Sequence, residues 1–539
     1  MSRRKLFELL REPGNLAIIV LGWFIVCVPG LLYGLPQLLD ADEEIFVHHA
    51  YKMLRPPYWD PGWYGAPAST LMDILAPLYA VVLLAGKTFG GIDSVYLSFH
   101  QNMDVYVLLG RGVTALALLG AACALYLYAR TFLSAVPALA AALVFLFAPE
   151  VVSHGQIVRM DVFMILFLVL VLHFSNRIAY RAEPRHFVLA GLALGAAVTS
   201  KYPGLVGVVA IVLAAGMAWR DGTLNIRQAA GYLSLCAVSS LAAAFVLGPY
   251  LFLNMGEMLS DVIYEARSTH LSATSTGFIS NLGFYLFSAI PAIVGSVAGI
   301  VGGIGLLEGT LRRPGKEVIL VSVFGLCFLL FISMLSLQWV RWGLPFAVVI
   351  AVGTGVVVQS LSRSFRVSGG KGCTAAALTA LIIVAPGAVQ SGKVTYLKAA
   401  NQDTRIAAAE WIESNVPRGA RVAVETYAPQ LSVEDYEVVV PRQGALIELN
   451  EAWWYRKRPP PFFGSFGSHF AASRASGSLS WNVDYIVISN WEDRYGREKH
   501  DYPAQFEVYK SIRRQFVQEK SFTPGSWQLG PNVTVFRAR

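Results

Sequence analysis

The sequence predicts a polytopic α-helical membrane protein with a C-terminal soluble α/β domain, and three observations carry that prediction. Of 539 residues, 55% are hydrophobic and only 14% charged, where a soluble domain carries about 25% charged; the mean hydropathy is +0.52. Runs free of Asp, Glu, Lys and Arg recur up to residue 392, many near the roughly 20 residues that a bilayer-crossing helix needs. Beyond 392 the charge returns, with 35 charged residues in the last 147 against 43 in the first 392. This composition excludes a soluble enzyme. The net charge of +8, counted loop by loop as membrane topology requires, makes no case for a nucleic-acid partner. All five cysteines lie in apolar stretches without CxxC spacing, which argues against disulfides and thiolate metal sites.

The predicted spans are 13–39, 112–129, 131–149, 162–176, 187–200, 202–219, 228–256, 271–307, 318–340, 342–362 and 372–392, eleven in all. The stretch 187–219 is too long for one crossing, so Lys201-Tyr202-Pro203 divides it into two short spans. The run 74–86 has only 13 residues between Asp73 and Lys87 and reads as interfacial. With it left out, one set of loops gathers the basic clusters (Arg3/Arg4/Lys5, Arg130, Arg177/Arg181/Arg185, Arg312/Arg313/Lys316), and the other gathers Asp40, Asp42, Glu43, Glu44, Asp60 and Asp104. The positive-inside rule then puts the N-terminus in the cytoplasm and the C-terminus outside, in a cell inner or plasma membrane.

The membrane module is residues 1–392, with outer loops 37–104, 150–161 and 251–283, and the outer domain is 393–539. In that domain TRIAAAEWIESN and FEVYKSIRRQF have helical periodicity, RVAVETY and VDYIVIS read as strands, and NVTVFRA reads as an edge strand. An α/β sandwich follows. Residues 456–480, with three consecutive prolines, read as a mobile insertion.

The chemistry concentrates at the outer boundary. Asp40-Ala41-Asp42-Glu43-Glu44 follows the first span, and a carboxylate there can act as a general base or hold a divalent cation. Arg159 and Asp161 sit in a short turn beside an apolar run, where ionisable groups are expensive and functional. Lys201, Arg111 and Arg341 lie on the side that topology does not require to be basic, and together suit a lipid phosphate. The loop 251–283 reads as an amphipathic helix followed by a flexible segment, a lid with His270 as a contact.

The segments LLDADEEIFVHHAYKML, HGQIVRMDVFMILF, GLALGAAVTSKYPGL, YEARSTHLSATSTGFISNLGFYL and QWVRWGLPFAVVIAVG, in this order, resemble the GT-C integral-membrane glycosyltransferases. The nearest likeness is to family 39, the protein O-mannosyltransferase and lipid A aminoarabinose transferase relatives. The resemblance implies a GT-C fold and transfer of a sugar from a polyprenyl-phosphate donor to an acceptor hydroxyl of protein, lipid or cell-envelope glycan. It implies Asp42 as catalytic base, followed by Glu43, with Asp40 two residues earlier as an alternative, and Asp161 as the second acid. Lys201, Arg341 and Arg111 would bind the donor phosphate, and Arg159, His270 and Asp40 would position donor or acceptor. No metal is obligatory, although Asp40, Asp42 and Asp161 can accommodate Mg²⁺ or Mn²⁺. Two departures bear on the substrate: Ala66-Pro67 stands where the family has Pro-Pro, and Arg341-Trp342 where it has Arg-Tyr. The competing readings are a transporter or flippase of a lipid-linked sugar, which calls for midplane charges and inverted repeats, and a non-catalytic envelope scaffold.

Overall fold

The computed structural model describes residues 13–65, 67–89, 99, 101–312, 315–367, 372–442, 445–448, 464–471 and 481–539. The chain divides into two compact units. One comprises Met1–Pro29, His49–Ala76 and Arg111–Thr395; the other comprises Gly30–His48, Pro77–Gly110 and Tyr396–Arg539. The second unit therefore draws in pieces of the first outer loop that a single cut at residue 392 leaves in the membrane module.

Among the described residues of the chain, nine helices are long and apolar enough to cross a membrane, or eleven if two bent pairs each count as one span. The bends have local causes. Ala135–Leu146 and Pro149–Gly155 diverge by 64°, because Pro149 forces the residue before it out of helical conformation and Ala148 is extended at ψ 121°. Phe278–Val294 and Ser296–Leu311 diverge by 116° at Gly295, whose φ of +82° only glycine adopts freely. The apolar run expected as one crossing, 271–307, is thus broken. The division at Lys201 holds: helix Pro184–Ser200 ends there and the 3-10 turn Tyr202–Gly207 begins. Two other boundaries differ from expectation. The span placed at 112–129 is a helix Met103–Ala129 that carries Arg111 inside it. The run 74–86 lies within a helix Ser69–Phe89, which by length and composition suffices to cross; counting charge-free residues missed it because Asp73 and Lys87 are part of the helix. Its half from Pro77 belongs to the same unit as the C-terminal sheet.

Small residues set the closest helix approaches. A Cβ on Gly191 or Gly195 would lie 2.2 Å from the Cys236 carbonyl oxygen or 2.3 Å from that of Ser240, so helix Pro184–Ser200 rests against the backbone of Ile226–Val246. Gly305 and Gly353 do the same for Ser296–Leu311 and Phe346–Val367, where a Cβ would come within 2.0 Å of the opposing carbonyl. Close backbone approach of this kind substitutes for the missing hydrophobic driving force between helices in lipid.

The C-terminal sheet has six strands: β1 (Arg421–Val424), β2 (Glu437–Arg442), β3 (Ala445–Glu448), β4 (Tyr485–Ile488), β5 (Phe516–Phe522) and β6 (Val533–Ala538), in the order β3-β2-β1-β4-β6-β5. The central strand β1 runs parallel to β2 and β4, and the other pairs are antiparallel. Helices Thr404–Asn415 and Pro503–Gln515 form where the periodicity predicts them. The strand read as an edge, β6, is internal, with Val533 and Val535 fully buried. The edge is β5, whose exposed Gln518, Glu519 and Lys520 discourage further pairing. Most of the insertion at 456–480 lies outside the described residues; 466–470 form a short helix capped by Ser465.

Candidate active site

In the larger unit, the site grows from three chain breaks. Asp161 opens helix Asp161–Arg181 and is fully buried; a carboxylate there is favoured by the helix N-terminus. Lys201, extended between two helices, is 8% exposed, and its Nζ donates to Asp161 Oδ1 at 2.5 Å. Asp161 Oδ2 is buried and has no hydrogen-bond partner among the described residues. Arg341 sits in the 3-10 turn Val340–Gly343, close enough for its charge to act on both Asp161 and Lys201. Arg159, 8% exposed, acts on Lys201 as well. Residues from three chain segments, Arg159 with Asp161, Lys201 and Arg341, thus meet in one electrostatic group.

His270 joins this neighbourhood through an aromatic. Its ring stands edge-on to Trp339 with centroids 5.0 Å apart, and the Arg341 guanidinium lies 4.4 Å from the same ring. The stretch after His270 is not the flexible segment expected. Ser275 N–H donates to Ser336 O, Gln338 N–H to Ala273 O, and Thr274 bridges Leu337. The helix Met255–Glu265 before it, with no buried residue, matches the amphipathic reading. Arg111 is buried at 1% exposure within Met103–Ala129, away from the span start where the sequence put it.

Two features of this unit escaped the sequence. His154, 8% exposed, feels the charges of Asp161, Arg159 and Arg341. Tyr64, 1% exposed, ties loops together: its N–H donates to Asp261, its hydroxyl to Asp60, and its carbonyl accepts from Tyr202, the neighbour of Lys201. Part of each one's role depends on distant partners, Asp261 and Tyr202 for Tyr64 and Arg341 for His154, which no local pattern announces. Of the aromatics in 51–64, Tyr64 therefore serves as a tie, while Tyr58 and Trp59 are exposed.

In the smaller unit, the acidic cluster folds as a helix start. Asp40 Oδ1 accepts from Asp42 N–H at 3.0 Å, so Asp40 caps the helix Ala41–Lys52, and Asp42, Glu43 and Glu44 occupy its first turn. Mutual repulsion is offset there by the helix dipole. Glu43 is fully buried, whereas Asp40, Asp42 and Glu44 are each partly exposed. Among the described residues, no three His, Cys, Asp or Glu side chains are grouped to hold a metal ion.

Residues 104–247 match the family model described as dolichyl-phosphate-mannose-protein mannosyltransferase. ArnT from Cupriavidus metallidurans in the apo state aligns with a TM-score of 0.54 and 12% identity, covering 99% of this chain and 98% of that one. The chain has the GT-C fold. The GT-C oligosaccharyltransferase of Archaeoglobus fulgidus, tethered with an acceptor peptide containing the NVT sequon, aligns with a TM-score of 0.52 at 12% identity over 95% of this chain and 73% of that one. ArnT bound to undecaprenyl phosphate aligns at 0.49 and 14% identity, over 97% of each chain. No curated protein matches the sequence.

Proposed function

We propose that this chain is a multi-pass glycosyltransferase that moves a sugar from a polyprenyl-phosphate donor to an acceptor hydroxyl at the outer membrane face, with inversion. The buried Asp161–Lys201 pair flanked by Arg341 and Arg159 supports the reading best. Burying such charges between membrane helices costs several kcal/mol per ion, and a group that gathers Lys201, Arg341 and Arg159 suits the phosphate of a lipid whose chains lie in the bilayer. The match of 104–247 to a family named for dolichyl-phosphate-mannose chemistry points the same way.

Asp42 takes the proton of the acceptor hydroxyl while the acceptor oxygen attacks the anomeric carbon. The bond from that carbon to the phosphate oxygen breaks with its electron pair, and attack opposite the departing group inverts the centre. Lys201 and Arg341 stabilise the charge that accumulates on the phosphate. Asp161 holds Lys201 in place through Oδ1 and keeps Oδ2 for a sugar hydroxyl. Arg111 assists the phosphate from within its helix, and Arg159 and His270 position donor or acceptor. Glu43 in the same helical turn is an auxiliary acid. No metal is obligatory for this reaction, and the N-terminus is cytoplasmic with the C-terminal domain outside.

The test is transfer of label from a panel of polyprenyl-phosphate sugars by the purified chain in liposomes, with and without chelator, beside Lys201→Met. Chelator-resistant transfer that Lys201→Met lowers by about 10²-fold or more, the effect of losing one charge-stabilising donor, supports the assignment. Transfer unchanged in Lys201→Met contradicts the phosphate site, and chelator sensitivity would return Asp40, Asp42 and Asp161 to consideration as Mg²⁺ or Mn²⁺ ligands.

A further inference from the structure

The smaller unit binds the segment 33–39 to the C-terminal domain through side chains grouped around Asp403, which also caps the helix Thr404–Asn415. Asp403 and Arg405 are 1% and 8% exposed. Arg405 Nε and Nη2 donate to the two oxygens of Asp403, each at 2.9 Å. Burial opposes charge on Asp403, yet the Arg405 bonds and charge and the Tyr33 hydroxyl hold its carboxyl below the ordinary carboxylate range. The same Arg405 reaches beyond this pair: Nη1 donates to the Leu39 carbonyl at 2.5 Å and Nη2 to the Tyr33 hydroxyl at 3.3 Å. Tyr33 in turn donates to Asp403 Oδ2. Two further bonds pin the intervening backbone, from Gly34 N–H to Asn401 Oδ1 and from Leu38 N–H to Gln430 Oε1, each 2.9 Å. The residue after Leu39 is Asp40, which caps the helix bearing Asp42.

A buried Asp–Arg pair is a poor source of stability, because desolvating both ions offsets most of their attraction and apolar residues would pack as well. What the pair supplies is geometry. A guanidinium presents a rigid planar fork of donors, and this one meets a carboxylate, a phenol and a main-chain carbonyl at once. We propose that the C-terminal domain is a clamp that sets the position of Asp42, with Arg405 as its central positioning residue and Asp403, Tyr33, Asn401 and Gln430 as its jaws. The proposal rests on the base role of Asp42 for its catalytic consequence, and not for the clamp itself. It gives the soluble domain a task in transfer that does not require it to touch substrate.

The clamp is tested on the full chain in nanodiscs by amide hydrogen exchange, which needs no ligand, and by steady-state transfer from undecaprenyl-phosphate mannose. Arg405→Ala is expected to raise exchange of residues 42–48 at least tenfold while Val422 and Val487 in the sheet stay protected. Transfer should fall by about 10²-fold in kcat with donor KM little changed, the scale on which small misplacements cost rate, and Arg405→Lys should recover part of it. If Arg405→Ala exposes the sheet amides too, the double variant Asn401→Ala/Gln430→Ala, which removes two jaws and leaves the buried pair, carries the test with the same expected loss of protection at 42–48. Unchanged exchange at 42–48 in the variant that keeps its sheet overturns the clamp. Raised exchange with undiminished transfer overturns its catalytic role. Full activity in Asp42→Asn with normal exchange would instead refute the base assignment and leave the clamp standing.

Discussion

Three carboxylates show how burial and partners together separate residues of one chemical type. Asp161 is held by Lys201, Asp40 by a backbone N–H, and Glu425 by four donors: Ser489 N–H and Oγ–H, Phe466 N–H and Tyr509 Oη–H. Glu425 follows β1 and is 1% exposed; burial pushes its carboxyl up to about 7 although all four hydrogen bonds pull the other way. Such a group costs nothing below its unfolded value of 4.5 and destabilises increasingly as pH rises from there to about 7. Thermal unfolding of the full chain is therefore expected at a higher temperature at pH 5 than at pH 8, with a narrower gap in Glu425→Gln; an equal gap in both proteins would exclude Glu425 as its source. Asp161→Asn leaves Lys201 buried without its counter-charge, a loss of about 3–5 kcal/mol. The double variant Asp161→Asn/Lys201→Met should regain much of that stability in the same melt while remaining inactive. The sequence identified both members of this pair because ions in apolar surroundings are conspicuous in one dimension. The roles of His154 and Tyr64 were not legible there, because they depend in part on partners up to about two hundred positions away.

Among the elements, the helices that follow from apolar periodicity formed as read, and the errors fell where charge-free length was the only guide. Ser69–Phe89 includes Asp73 and Lys87, and Met103–Ala129 includes Arg111; a helix continues through an ion that the protein interior accepts. Gly295 and Pro149 break two runs that hydropathy alone joins. In the sheet, β5 lies almost wholly beyond the helical pattern of 506–516 and its polar VQEKS gives no alternation, so the edge falls one strand away from where the sequence puts it. The glycine contacts give the helix packing a sharp test. Gly195→Leu inserts a side chain where Ser240 O already stands 2.3 Å from a Cβ, whereas Gly216→Leu, on Val208–Arg220, meets nothing within 4 Å. The first should lower stability by at least about 1–3 kcal/mol and the second should not, as measured by detergent-solubilised melting; equal effects would contradict the close approach of Pro184–Ser200 to Ile226–Val246.

Across the whole molecule, the GT-C fold was legible in the order of the five quoted segments along the chain, and solved structures only 12% identical share that fold. The domain division was not, since a cut at the composition change cannot reveal that Gly30–His48 and Pro77–Gly110 group with the C-terminal sheet. The hydrogen bonds of Tyr33, Gly34, Leu38 and Leu39 cross more than 360 positions of sequence, and no local pattern encodes them. We propose Asp42 as the base of a sugar transfer from lipid phosphate. Its most direct test is single-turnover transfer from the donor that the wild type accepts, comparing Asp42→Asn with wild type at matched donor binding. Donor binding is expected unchanged and the chemical step slowed by about 10²–10⁴-fold, the usual contribution of a general base; a chemical step at the wild-type rate in Asp42→Asn would rule that role out.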